Sequence, residues 1–302
     1  MISNFNRISK TLKSKFFFDY DLSSSTWFRT GGKADLFCIV SDEEELKIIL
    51  ENLNNETPLF IIGVGSNVLI RDGGFRGLII KLGKAFNKLN IKNTLISAGA
   101  SILDTNLSKY AYNNSIEGLE FFSGIPGSIG GAIKMNAGCF GNSTKDVVKE
   151  ISVYNKNGIK NNLSNNEIGF SYRNSKLSDD YIVTSVILEG RTGEKKDIET
   201  KIKEIKFKRE VSQPLKTQTS GSTFKNPTGL YAAKLIEQAD CKGLKVGDAV
   251  VSNKHSNFFI NLGRATSNDI ENLGKLVQNK VMQKMNILLE WEIKLIGEPL
   301  EK

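Results

Sequence analysis

Between residues 124 and 141 the chain places six glycines in eighteen positions: Gly124-Ile-Pro-Gly-Ser-Ile-Gly-Gly131, then Met135-Asn-Ala-Gly138 and Gly141. Turns alone rarely demand that density. Glycine removes the Cβ, permits positive φ and lets backbone approach a ligand closely, so such a run points to main chain wrapped around a flat or diphosphate-bearing cofactor. The alternative is a buried irregular loop beside a sheet. A second cluster, Ile61-Ile-Gly-Val-Gly-Ser-Asn-Val-Leu-Ile70, puts two glycines and two small polar residues between strand-like runs. Several N–H groups can converge on an anion there, although read alone the segment is a tight β-turn. It is not a Rossmann fingerprint, because Val68 stands where the third glycine belongs and a strand, not a helix, follows. No Walker motif occurs.

Composition narrows the chemistry. At roughly 150 residues per domain, 302 residues predict about two domains with cores of their own. Cys38, Cys139 and Cys241 lie far apart, without the spacing of zinc sites, iron–sulfur clusters or disulfide frameworks, and the single histidine, His255, removes multi-histidine metal centres. No metal is expected, and a reducing compartment is. The net charge of +8 suits phosphate-bearing partners without choosing among nucleotides, nucleic acid and anionic membrane. No apolar run approaches the roughly 20 residues of a membrane-spanning helix, so a cytoplasmic chain is predicted. Arg7, Lys10, Lys13 and Lys15 precede the first acid, Asp19; a solvated N-terminal helix is the plain reading, and a transit peptide or surface anchor the alternative.

Periodicity predicts an α+β or α/β organisation. Ser41 and Glu44 read as a capping box before a helix carrying Leu46, Ile49 and Leu53. The β-prone runs 59–62, 67–70, 78–82 and 94–97 are joined by short links that read as hairpins rather than βαβ units. A helix over 102–113, strands near 151–154 and 181–188 and a charged helix over 194–208 follow. Beyond a boundary near 205–215, the pattern predicts a helix over 230–239, strands at 250–251 and 258–260, and a long amphipathic helix capped by Thr266, with Ile270, Leu273, Val277, Val281 and Met285 on one face.

Seven ordered motifs resemble those of the UDP-N-acetylenolpyruvoylglucosamine reductase family: Thr26-Trp-Phe-Arg-Thr-Gly-Gly32, Gly63-Val-Gly-Ser-Asn67, Gly124-Ile-Pro-Gly127, Asn136-Ala-Gly138, Tyr172-Arg-Asn-Ser175, Gly221-Ser-Thr-Phe-Lys-Asn-Pro227 and Glu292-Ile-Lys-Leu-Ile-Gly297. The resemblance runs from about residue 26 to 297. It implies an α+β chain: an N-terminal extension (1–25), an FAD-binding fold of the vanillyl-alcohol-oxidase (PCMH) type over 26–208, in two lobes split near 85–100, and a smaller α/β substrate-binding domain over 209–302. It further implies noncovalent FAD, NADPH as electron donor, UDP-N-acetylglucosamine enolpyruvate as substrate in peptidoglycan precursor synthesis, and a cytoplasmic monomer. Cofactor contacts carried over are Gly63, Val64, Gly65, Ser66, Asn67, Gly124, Ile125, Pro126, Gly127, Gly131, Asn136, Ala137, Gly138 and Arg209. Two departures stand out. Ser212 lies where a lysine is expected near the substrate phosphates, and Cys139 replaces a small alanine, read here as a packing substitution. The chain lacks the inserted tyrosine-bearing loop of one branch and is similar to the shorter type.

Reducing an enolpyruvyl ether needs hydride at the CH2 carbon, stabilisation of the charge that builds on the carboxylate side, and a proton for the adjacent carbon. The resemblance carries these tasks to Arg173, Ser222 and Glu292. Arg173 is a permanent cation with fixed donors, suited to polarising a carboxylate; without the resemblance it reads as a surface arginine. Glu292 lies in a run whose alternation puts Leu289, Trp291, Ile293 and Leu295 on one face and Glu290, Glu292 and Lys294 on the other, so only the family motif prefers it to Glu290. Ser222 is the proton donor by resemblance, a poor acid in water that works if held close to a strongly basic carbanion; a plain turn is its other reading. Lys225 and Asn226 are expected on the diphosphate, with Tyr172 and His255 lining the same cleft. The rivals are a sugar or lactone oxidase sharing the FAD domain, for which a covalent flavin link would speak, and a nucleic-acid-binding protein. The latter lacks zinc-finger spacing, an RNA-recognition aromatic motif and a concentrated basic arm beyond the N-terminus.

Overall fold

The structure, a computed structural model, describes residues 1–300. The chain divides into two compact units. The first comprises Met1–Phe18, Asp35–Gly63 and Gly77–Lys208; the second comprises Asp19–Ala34, Val64–Arg76 and the chain from Arg209 onward.

The first unit contains a five-stranded antiparallel sheet in the order Lys160–Ser164, Val148–Tyr154, Ile182–Glu189, Leu95–Gly99, Leu89–Lys92. Alternation fills one face with Ile96, Ala98, Ile151, Val153, Val186 and Leu188, over which pack Leu107 and Ala111 of the helix Asp104–Asn113 and Ile129, Ala132 and Ile133 of the helix Ile129–Met135. A four-stranded sheet has the order Lys15–Asp21, Lys33–Val40, Phe75–Leu82, Leu59–Ile61. Its core joins Leu36, Cys38, Leu78 and Ile80 to Leu46, Ile49 and Leu50 of the helix Glu43–Glu51.

Three expectations are corrected here. Residues 1–25, read as an extension, build a short helix Ile2–Ile8 whose Phe5 is fully buried among Leu36, Cys38 and Ile49, followed by the edge strand Lys15–Asp21. The N-terminal helix is therefore anchored rather than merely solvated. Its follow-on loop is tied down by Glu45, which is buried and accepts from the N–H groups of Lys13 and Ser14, both at 2.7 Å, holding its carboxyl below the usual range despite burial. The helix cap is Asp42, whose carboxylate accepts from Glu45 N–H at 3.0 Å, one residue later than the Ser41/Glu44 pair; the N–H of Ser41 donates to Ser14 Oγ instead. Finally, Leu59–Ile61 pairs with Phe75–Leu82 in parallel, and Val68–Ile70 pairs in parallel with Lys294–Ile296, so the short links there are not hairpins. Periodicity reports faces, not partners.

The second unit has a three-stranded antiparallel sheet, Lys245–Val246, Ala249–Val251, Phe259–Asn261, and two helices, Ala232–Gln238 and Ser267–Met285. Thr266 caps the long helix in a reciprocal box with Asp269, and Asp72 accepts from the N–H groups of Ser267 and Asn268 at 2.9 and 2.8 Å. Its apolar face, Ile270, Leu273, Val277 and Val281, is fully buried with Phe28, Phe224 and Phe259. Gly274 sits against the indole of Trp291, where any Cβ would overlap the ring. No described helix is long and apolar enough to cross a membrane.

Candidate functional site

In the first unit the glycine cluster is a loop stitched to the start of the helix Asp104–Asn113. Asp104 N–H donates to Gly127 O at 3.1 Å, Ile129 N–H to Ile102 O at 2.9 Å and Gly130 N–H to Ala100 O at 2.9 Å. The loop's tight packing explains two glycines directly: a Cβ on Gly63 would overlap Ser128 Oγ, and one on Gly127 would lie 2.6 Å from Asp104 Oδ2. The two clusters therefore meet at Ser128. The N–H groups of Gly63, Gly127 and Ser128 have no hydrogen-bonding partner within the described chain, and Gly63 and Gly131 are exposed. Uncommitted N–H groups on two neighbouring glycine-bearing segments are the donors that a pyrophosphate needs. Gly124 is buried. Behind the loop, Asp104 is fully buried with neither carboxyl oxygen hydrogen-bonded, and burial pushes its pKa well above the ordinary carboxyl range, favouring the protonated, neutral form.

The Asn136-Ala-Gly138 triplet is tied to neighbouring backbone and to Arg173. Asn136, in left-handed conformation at the end of the helix Ile129–Met135 and 3% exposed, donates through Nδ2 to Ser171 O at 2.8 Å and accepts Lys145 N–H at 2.9 Å. Ala137 O accepts the N–H and hydroxyl of Thr144 at 2.9 and 2.7 Å. Gly138 O accepts Arg173 Nη2 at 2.9 Å. The side chain of Asn136, expected on the cofactor, is thus spent on backbone, and the triplet braces the turn that bears Arg173. That turn is closed by reciprocal bonds between Ser171 and Asn174, with Arg173 at φ +52° and its guanidinium 5.2 Å from the exposed Tyr172 ring. Cys139, half-buried against the sheet core, donates its S–H to Phe121 O at 3.1 Å, a packing position as read.

In the second unit Ser222–Asn226 lies between two neighbouring segments. On one side, Ser222 bridges Phe258, and Thr223 N–H donates to Asn257 O at 2.7 Å. On the other, Glu292 N–H donates to Thr223 O at 2.9 Å, and Lys225 N–H to Glu290 O at 2.8 Å. Gly221 precedes them at φ +79°, the tight turn expected there. Lys225 Nζ pairs with Glu290 Oε2 at 3.4 Å, while Asn226 Oδ1 accepts Ala232 N–H at 2.9 Å at the head of the helix Ala232–Gln238. Asn67, expected on the cofactor, uses its Nδ2 on Glu292 O at 3.1 Å and its carbonyl on Lys294 N–H at 3.0 Å. The structure also separates the two acids that alternation left equal: the Glu290 side chain is 72% exposed, whereas Glu292 is half-buried.

Arg173 belongs to the first unit, and Ser222, Lys225, Asn226 and Glu292 to the second. His255 packs edge-on against Phe258 with Nδ1 buried and unpartnered, and burial lowers its pKa, favouring the neutral ring. Arg209 donates to Gln213 Oε1 at 3.0 Å in the last turn of the helix Lys195–Ser212, and Ser212 ends that helix exposed. Asn257 and Asp104 escaped sequence reading, since an isolated Asn or Asp carries no periodic signal.

Residues 34–163 match the FAD binding domain family. With the α+β fold and its glycine-lined loop, this makes the chain an FAD-dependent oxidoreductase. Residues 213–296 match the C-terminal domain of UDP-N-acetylenolpyruvoylglucosamine reductase. Reductases of that name from Methylorubrum populi and Rickettsia typhi are 43% and 41% identical, over 98% and 95% of this chain and 96% and 97% of theirs. The crystal structure of UDP-N-acetylenolpyruvylglucosamine reductase from Thermus caldophilus superposes with a TM-score of 0.82 at 33% identity, over 95% of this chain and all of that one. The chain belongs to the UDP-N-acetylenolpyruvoylglucosamine reductase family.

Proposed function

We propose that the chain reduces UDP-N-acetylglucosamine enolpyruvate to UDP-N-acetylmuramate, a step of peptidoglycan precursor synthesis, with noncovalently held FAD and with NADPH as donor. The reading rests on one observation above all: a single residue, Thr223, is gripped between Asn257 through its N–H and Glu292 through its C=O, which sets Ser222 and Glu292 on adjacent segments. When bound, FAD would supply the hydride chemistry needed at the enolpyruvyl CH2 carbon, with NADPH as the electron source, and the uncommitted N–H groups of Gly63, Gly127 and Ser128 would hold its pyrophosphate.

Arg173 meets the substrate carboxylate. Its guanidinium is already oriented by Gly138 O, so it stabilises the charge that accumulates as the C=C bond is consumed without reorganising. Ser222 gives its hydroxyl proton to the carbon bearing the ether oxygen, completing two new C–H bonds for the one π bond lost. Half-buried Glu292 takes part in restoring that proton, while Lys225 and Asn226 face the diphosphate. A nucleotide-sugar substrate of this kind fits a cytoplasmic enzyme.

The test is optical. Purified protein with FAD should show a flavin absorption band that NADPH bleaches and the enolpyruvyl nucleotide sugar restores. A protein that stays colourless in excess FAD sinks the reading.

A further inference from the structure

We infer that Asn257 is a positioning residue that fixes the orientation of the Ser222 hydroxyl by clamping the peptides that follow it. The inference rests on the reading of Ser222 as proton donor. Asn257 is 3% exposed, and its amide is spent on one residue: Oδ1 accepts Phe224 N–H at 2.9 Å and Nδ2 donates to Phe224 O at 2.8 Å. Its own carbonyl takes Thr223 N–H at 2.7 Å. One residue thus holds three backbone groups of two successive residues, as a sheet neighbour would, where no regular strand runs.

An amide is the group this task requires. It presents one acceptor and one donor in a single plane at fixed spacing, matching the N–H and C=O of one residue. Packing alone cannot do it. The Phe224 ring is anchored on Phe259 at 5.8 Å and Trp291 at 5.0 Å, but a ring held by dispersion does not fix the rotation of the peptides on either side. Without the amide, two buried backbone groups of Phe224 lose their partners, and the segment relieves that cost by rotating its peptides. Such a rotation swings Ser222 on one side and Lys225 and Asn226 on the other. Asn257 is itself held by its loop: Ser252 Oγ accepts the N–H groups of Lys254 and His255 at 3.1 and 3.3 Å, and Phe258 N–H closes on His255 O at 2.9 Å.

The experiment compares Asn257→Ala, Asn257→Asp and Ser222→Ala as FAD-loaded protein, following anaerobic bleaching by NADPH, then reoxidation by saturating enolpyruvyl nucleotide sugar, with melting temperature alongside. Asn257→Ala should bleach within about twofold of the parent, while its limiting reoxidation rate falls by roughly 100-fold, the scale of an ångström misplacement. Asn257→Asp keeps the acceptor and regains the donor only when protonated, so its reoxidation should slow as pH rises, relative to the parent. Parental limiting reoxidation in Asn257→Ala with only a lower melting temperature overturns the inference, as does failure of both Asn257 variants to fold, because each means a purely structural role. If Ser222→Ala reoxidises at the parental rate, the donor reading itself falls and the inference with it. A slow Ser222→Ala beside a normal Asn257→Ala removes the inference alone.

Discussion

The amide of Asn136 donates to the carbonyl of Ser171 at 2.8 Å, two residues before Arg173, whose guanidinium in turn donates to Gly138 O at 2.9 Å. The glycine-rich stretch and the Tyr172-Arg173 turn are therefore one construction. Asn136→Ala should keep FAD, read from the flavin spectrum after gel filtration, but lower kcat about tenfold or more, because Arg173 loses the bracing of its left-handed turn. If Asn136→Ala releases FAD with kcat intact in excess cofactor, the asparagine serves the cofactor after all.

Gly274→Ala inverts a general rule. Glycine inside a helix ordinarily costs up to about 1 kcal/mol against alanine. Here the new methyl meets the Trp291 ring, so Gly274→Ala should destabilise by about 1–3 kcal/mol in urea unfolding. The double variant Gly274→Ala/Trp291→Leu should lose less than the two single changes summed, a coupling absent if the contact is not the cause.

Asp104 makes stability fall with pH. Its carboxyl is held neutral by burial, with a folded-state value above the unfolded one. Such a group contributes fully below the unfolded value of about 4, and its contribution is lost as pH rises towards the folded value. Asp104→Asn cannot ionise, so relative to the parent its urea midpoint should improve steadily above about pH 4. Parallel midpoint curves for the two proteins would show that the buried carboxyl ionises freely.

Much of this was legible in the sequence, for identifiable reasons. Burial on one side leaves a period, so the helix Ser267–Met285 and the strand Ile182–Glu189 could be placed from Ile270, Leu273, Val277 and from the run near 181–188. Pairing leaves none: nothing in Val68-Leu-Ile70 says that its partner is Lys294–Ile296, or that the pair is parallel. The site divides in the same way. Arg173, Ser222 and Glu292, to which the resemblance assigns chemistry, can be singled out by motif, but a motif does not distinguish a residue that touches a ligand from one that braces its neighbour. Asn67 and Asn136 sit in ligand-like motifs and spend their amides on backbone, and Asn257 sits in none and does the same. A buried side-chain amide answers a backbone that is irregular in space, and that irregularity is not written in any local pattern.

Glu290 and Glu292, two residues apart, should separate cleanly in kinetics. Glu290 is largely exposed and its contact with Lys225 is long, so the pair contributes little stability. Its effect is to neutralise a cation expected on the diphosphate. Glu290→Gln should leave kcat unchanged and lower KM for the nucleotide sugar by about twofold at low salt, the gain fading as ionic strength rises. Glu292 is half-buried, with its N–H on Thr223 O, beside the segment of Ser222, the proposed proton donor. Glu292→Gln should lower kcat by about 100-fold with KM little changed, since the group acts in the transition state rather than in binding. Steady-state kinetics at two salt concentrations checks both, and a larger kcat loss in Glu290→Gln than in Glu292→Gln would reverse the assignment.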